Sequence, residues 1–145
     1  MAEMIPDDQG HIRVITQAAP AAGAEVIIPA IPRIRFRLIN FLVEFAADVN
    51  AADRSIYIRI MVGSDEIARF SPRSLVTANQ TRFVNYSDAL GNVTGTGGVM
   101  VCGHLPTRLL LNNEANIETV TAGLQTGDQF GIPQMLIEEW IEPLV

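Results

Sequence analysis

Apolar and polar residues alternate with a period of two along most of the chain, the pattern of strands that lay one face on a core. Residues 11–16 form a short alternating strand, and residues 17–23 are an Ala/Pro/Gly-rich connector. Residues 24–31 carry a β-branched run, Val26, Ile27 and Ile28, bracketed by Pro20, Pro29 and Pro32. Proline cannot donate to a sheet ladder, so this run belongs at a sheet edge or along another surface. Arg33, Arg35 and Arg37 then alternate with Ile34, Phe36 and Leu38. From Ile39 the phase flips, and Ile39, Phe41, Val43 and Phe45 become the apolar set against Asn40 and Glu44. A one-residue slip of this kind predicts a β-bulge near Leu38 and Ile39. The rival is a helix over residues 40–50, since Phe41, Phe45 and Val49 have helical spacing.

Residues 46–53 read as a loop. Ile56, Ile58, Ile60 and Val62 form one clean face opposed by Tyr57, Arg59 and Met61. Gly63-Ser64-Asp65 is a hairpin turn, with a return strand over residues 66–70. Residues 75–86 predict a long Thr/Asn-rich strand with polar residues on both faces, and residues 88–98 a turn-rich loop. Further strands fall at 99–102, 109–111 and 116–121, a turn at Gly127-Asp128, and a closing segment at 130–141. In that last segment Met135, Ile137 and Ile141 alternate against Leu136, Glu138 and Trp140. Eight or nine short strands without a long helix predict an all-β, antiparallel β-sandwich. It occupies residues 24–145, preceded by an extended N-terminal arm, residues 1–23, that holds the first short strand.

Composition narrows the chemistry. A chain of 145 residues is one domain, and 48% hydrophobic content is enough for a core. All ten basic residues are Arg, so mechanisms that need a phosphate-loop lysine, a Schiff base or a Ser-Lys dyad are excluded. The net charge of −6 argues against a nucleic-acid partner, which needs clustered cations. The single cysteine, Cys102, allows no intramolecular disulfide and no thiolate zinc cluster, and reads as a small buried hydrophobe. A catalytic thiol would need His11 or His104. Cys102 and His104 share one face of a strand, which does not suggest an activated pair. The N-terminus has no apolar signal-peptide core, and no run reaches the roughly 18 apolar residues that span a bilayer. No membrane partner is expected, and the chain is expected to be soluble and to fold without secretion. Sequons at Asn79, Asn85 and Asn92 then read as Asn/Thr-rich β structure.

Several constellations invite chemistry and lack a needed part. The Gly-rich stretch 91–98 has neither a lysine nor a following helix to cradle phosphate. Carboxylates gather at Asp7-Asp8, Asp65-Glu66 and Glu138-Glu139-Glu142, but Glu138 and Glu139 point to opposite faces of one strand. A calcium site at Asp48/Asp53 or Asp65/Glu66 lacks the D-x-D-x-D-G spacing, and no G-x-S-x-G elbow occurs. No catalytic residue, metal or cofactor is therefore assigned. The sharpest surface feature is the stripe of Arg33, Arg35 and Arg37. Like charges on one face need something acidic opposite, whether Glu on an adjacent strand, another subunit or an anionic ligand. Trp140 is either core or an anchor for another subunit.

A proline-bracketed strand (Val26 to Pro32) runs into a basic alternating strand (Arg33 to Leu38). A Gly63-Ser64 hairpin follows, and Leu124-Gln125-Thr126-Gly127-Asp128-Gln129 precedes a last strand ending in Glu139-Trp140. This order resembles the small all-β decoration, or cement, proteins of tailed bacteriophages, many of them jelly-roll sandwiches. The resemblance implies a jelly-roll-like fold of about eight strands and a non-enzymatic role. It also implies a place on the capsid exterior where major capsid subunits meet, and commonly a homotrimer. The interface candidates are then Arg33, Arg35, Arg37, Val26, Ile27, Ile28 and Trp140, with the arm wrapping a neighbour. An acidic, lysine-free domain suits the virion exterior better than its DNA-facing interior. The rivals are a carbohydrate- or receptor-binding module of a phage tail or fibre, which 6% aromatic content weakens, and a small enzyme on a β scaffold.

Overall fold

The computed structural model describes residues 10–88 and 100–141. The N-terminal acidic pair Asp7-Asp8, Glu142 and nearly all of the loop at 88–98 lie outside them. The described residues hold eleven strands and no helix. These are β1 (His11–Thr16), β2 (Ile27–Ile28), β3 (Ile34–Ala46), β4 (Ser55–Val62), β5 (Asp65–Phe70) and β6 (Thr81–Ser87). They continue with β7 (Met100–His104), β8 (Leu110–Leu111), β9 (Ala115–Ala122), β10 (Gln129–Phe130) and β11 (Gln134–Ile141).

One sheet runs β1-β11-β3-β6-β7, with β8 and β10 also paired to β3, and the other runs β2-β9-β4-β5. Eight strands carry the topology, and their pairing is nested. β4 pairs with β5, β3 with β6, β2 with β9 and β1 with β11. In that set the first strand belongs beside the last, the second beside the last but one, and so inward, with successive pairs falling in alternate sheets. This is the order of a jelly roll, a long hairpin rolled into two sheets. β7, β8 and β10 are additions to that frame, which takes the count from about eight to eleven. One addition also departs from the antiparallel expectation: β7 runs parallel to β6.

The phase flip in β3 is a bulge. Leu136 pairs with Asn40 and the next residue, Ile137, with Leu38, so Ile39 is the extra residue on β3. Phe36 and Leu38 before it, and Phe41, Val43 and Phe45 after it, thereby all point into the core, each at most 1% exposed. Without the extra residue, one of the two sets would face solvent. Opposite them lie Ile56, Ile58 and Ile60 of β4 and Ile117 of β9, equally buried. The Tyr86 hydroxyl crosses between the sheets to within 2.6 Å of the Ile56 carbonyl oxygen. Burial drives its pKa well above the usual phenol range, so it stays a neutral donor. Its ring needs Gly103 on β7, where a Cβ would lie 2.1 Å from a ring carbon.

Two elements differ from the sequence reading. The strand expected over residues 75–86 begins only at Thr81, because Asn79 is left-handed (φ 60°) in a turn closed by Gln80 N–H to the Thr77 carbonyl. From Gly10 onward, the described part of the expected arm is tied to the sandwich. β1 pairs along its length with β11. Gly23 N–H donates to the Asp128 carbonyl at 2.7 Å, and Gln129 Nε2 to the Pro20 carbonyl at 2.8 Å. Glu25 accepts hydrogen bonds from Thr119 Oγ1 and from Thr121, which pins the start of β2 to β9.

Candidate functional site: an arginine groove

The outer face of the larger sheet is polar where strands β3, β8 and β11 meet. Register places Arg37 between Leu110 on β8 and Glu138 on β11, and Arg35 beside Trp140. Arg35, Arg37, Arg108, Leu110, Glu138 and Trp140 line an open groove of about 520 Å³. Alternation explains the strand members, because Phe36 and Leu38 take the inner face and leave Arg35 and Arg37 outside. Arg33 does not complete the stripe. It precedes β3 in a left-handed turn (φ 61°), so the third guanidinium of the groove is Arg108, itself left-handed (φ 67°) in the turn before β8. Non-glycine residues occupy that region at a cost, and such outliers collect at binding sites.

The charges in the groove do not balance. Arg37 Nη2 lies 2.9 Å from Glu138 Oε2, and Nη1 lies 3.9 Å from Asp88 Oδ2. Its Nε is buried and has no acceptor. Glu138 spends its other oxygen on the backbone N–H of Gly10, at 2.8 Å. Among the described residues, neither Arg35 nor Arg108 has an ion pair or a hydrogen bond through its side chain. Gly10 crosses tightly over this corner, since a Cβ there would lie 2.6 Å from Glu138 Cγ and 2.8 Å from Trp140 Cε2. Among the described residues the groove thus offers two unpaired guanidinium forks and a partly covered indole, chemistry suited to planar carboxylates.

The remaining candidates scatter. Ile27 is 56% exposed, whereas Val26 and Ile28 are buried in the chain's own core and present nothing to a partner. Three adjacent apolar residues on a strand cannot share a face, and alternation gives two of them to the core. Glu139 turns away from Glu138, to Arg13 on β1 at 3.2 Å. Cys102 is buried and His104 exposed on β7, with no hydrogen bond between them. Among the described residues no group of three His, Cys, Asp or Glu side chains could hold a metal ion, and no helix is long and apolar enough to cross a membrane.

Asp48 is engaged differently from the calcium reading. Arg54, fully buried, makes a two-pronged contact with Asp128, Nε to Oδ2 at 3.1 Å and Nη2 to Oδ1 at 3.0 Å. The same Nη2 reaches Asp48 Oδ1 at 2.6 Å, and Nη1 donates to the carbonyls of Asn50 and Ala52. Asp128 also accepts the N–H groups of Asp48 and Gln125, each at 2.8 Å. Burial alone would raise the Asp128 pKa, but Arg54 and the two backbone donors outweigh it and hold the carboxyl below its usual range. The cluster ties the loop after β3 to the loop before β10. Sequence reading missed it, because Arg54 and Asp128 carry no motif and meet only through the fold.

No family model and no curated protein matches the chain. Among solved structures, the tobacco streak virus coat protein aligns with 99% of this chain and 94% of its own, at 14% identity and a TM-score of 0.39. PfGH50B aligns with 92% of this chain and 23% of its own, at 10% identity and a TM-score of 0.38.

Proposed function

We propose that the protein is a non-enzymatic structural component of a virion. It would bind the outer surface of a bacteriophage capsid and stabilise contacts between major capsid subunits. The observation that carries this reading is the charge imbalance of the groove. Among the described residues of this acidic chain, Arg35 and Arg108 have no carboxylate partner on a concave, outward face, and acidic side chains of an adjoining subunit would complete them. Arginine forks that gain such partners at a desolvated contact are typical interface anchors. Jelly rolls recur in viral capsid proteins, which adds support at the level of fold analogy.

Cosedimentation with shells of the parent virus assembled without the protein tests the proposal. The wild type is expected to bind saturably. Arg35→Ala/Arg108→Ala is expected to bind at least roughly tenfold more weakly, about 1.4 kcal/mol. Absence of wild-type binding, or equal binding by the variant, would overturn it. A second reading rests on Trp140 and Glu138 beside the arginines, a set that could stack on and hydrogen-bond an acidic saccharide. Specific retention of the protein by an acidic glycan, lost with Trp140→Ala, would favour that receptor-binding role instead.

A further inference from the structure

The sandwich has four sheet edges, and three of them are protected. Beyond β7, Pro72 bridges to Gly103 and Arg73 N–H donates to the Cys102 carbonyl at 2.8 Å. β2 has only two residues and is followed at once by Pro29. β5 carries a bulge, since Ala68 and Glu66 face consecutive residues of β4 and leave Ile67 unpaired, and its Glu66 and Arg69 are paired at 2.6 Å. Short strands, prolines, bulges and charges are the devices that stop an edge from recruiting another strand.

β1 has neither a proline nor a bulge, and its single permanent charge is spent within the chain. Six residues pair with β11 without a register shift, and no proline, lysine or carboxylate interrupts them. Its outer edge has no partner strand among the described residues. Ile12 and Val14 stand on the outer sheet face, 54% and 59% exposed. The one permanent charge, Arg13, is turned back to Glu139 of the same chain.

We infer that β1 pairs with β1 of a second copy, antiparallel about a two-fold axis perpendicular to the sheet, so that the two larger sheets become continuous. The residues themselves favour a second copy over an unrelated strand. With Val14 opposite its own equivalent, Ile12 faces Thr16 and Arg13 faces Ile15, and every pair lies on one face as antiparallel register requires. Centring the pair on Arg13 would instead oppose two guanidinium groups. The strand carries no carboxylate, so it is a place where two copies of a chain with net charge −6 meet without acidic repulsion. An isologous contact of this kind closes at two. A contact through one six-residue strand is expected to bury less than the roughly 1,200 Å² of a standard interface and so to give a weak dimer.

Sedimentation equilibrium of the full chain over a concentration series tests the inference. The wild type is expected to follow a monomer–dimer equilibrium that Val14→Lys, at an exposed position, abolishes while leaving the circular dichroism unchanged. Under mild oxidation Val14→Cys is expected to give a covalent dimer, whereas Ile12→Cys alone does not and a mixture of Ile12→Cys with Thr16→Cys does. A monomer at every concentration would overturn the inference, as would a dimer or trimer that Val14→Lys leaves intact. The outcome is independent of shell binding.

Discussion

Two arginine clusters at different places in the fold show opposite uses of the same side chain. Arg54 is wholly buried, and all three of its guanidinium nitrogens have acceptors, two of them on the equally buried Asp128. Arg35 and Arg108 lie at the surface with no acceptors on their side chains among the described residues, beside an Arg37 that has one good carboxylate and an Nε without an acceptor there. The first arrangement is closed and holds two loops at one end of the sandwich. The second is open, and nothing among the described residues completes it. Among the described residues the fold satisfies the buried arginine fully and leaves two others bare around a groove, and the proposed contact with an adjoining subunit would resolve that contrast.

The sharpest way to break this contrast is to remove one partner at each place. Arg54→Ala strands two carboxylates, and loss of one member of a buried pair costs about 3–5 kcal/mol. Urea unfolding is expected to show a loss of that order, with the slope unchanged. The same cluster sets a pH dependence. The Asp128 pKa is lower in the folded chain than its unfolded value near 3.8, so its contribution is complete above that value. It is lost as pH falls below about 4 and through the folded pKa. Stability measured between neutral and acid pH is expected to fall steeply at the acid end, and less steeply in Asp128→Asn, which starts from a lower plateau. In the groove the sign changes. Arg108→Gly relieves a left-handed side chain that has no partner to lose among the described residues, and is expected to stabilise by up to about 1 kcal/mol. The smallest effect belongs to Arg35→Ala, expected to alter unfolding by no more than about 0.5 kcal/mol, as at other unpartnered surface positions.

What the sequence revealed was local. The phase flip at Ile39 required a bulge, because only an inserted residue keeps both halves of β3 facing inward, and the bulge is there. Gly63 and Ser64 announced a hairpin, and Gly63 adopts the positive φ that the turn needs. What stayed hidden was non-local. Alternation assigns Arg35 and Arg37 to an outer face but does not say what stands beside it. Arg108 joins them only because β8 folds onto β3. The Arg54–Asp128 pair is separated by six strands, so neither residue signals the other. Val26 and Ile28 looked available because an apolar run was read as a unit, when its two like-facing members belong to the core. Composition warned that every cation is Arg, and the fold turned that fact into two roles.

The most direct measurement of the central claim is the melting temperature of shells with and without the protein. Wild type is expected to raise it. Arg35→Ala/Arg108→Ala, which should melt on its own no lower than wild type, is expected to leave the shells close to their bare melting temperature. A double variant that protects shells as well as wild type would contradict the account.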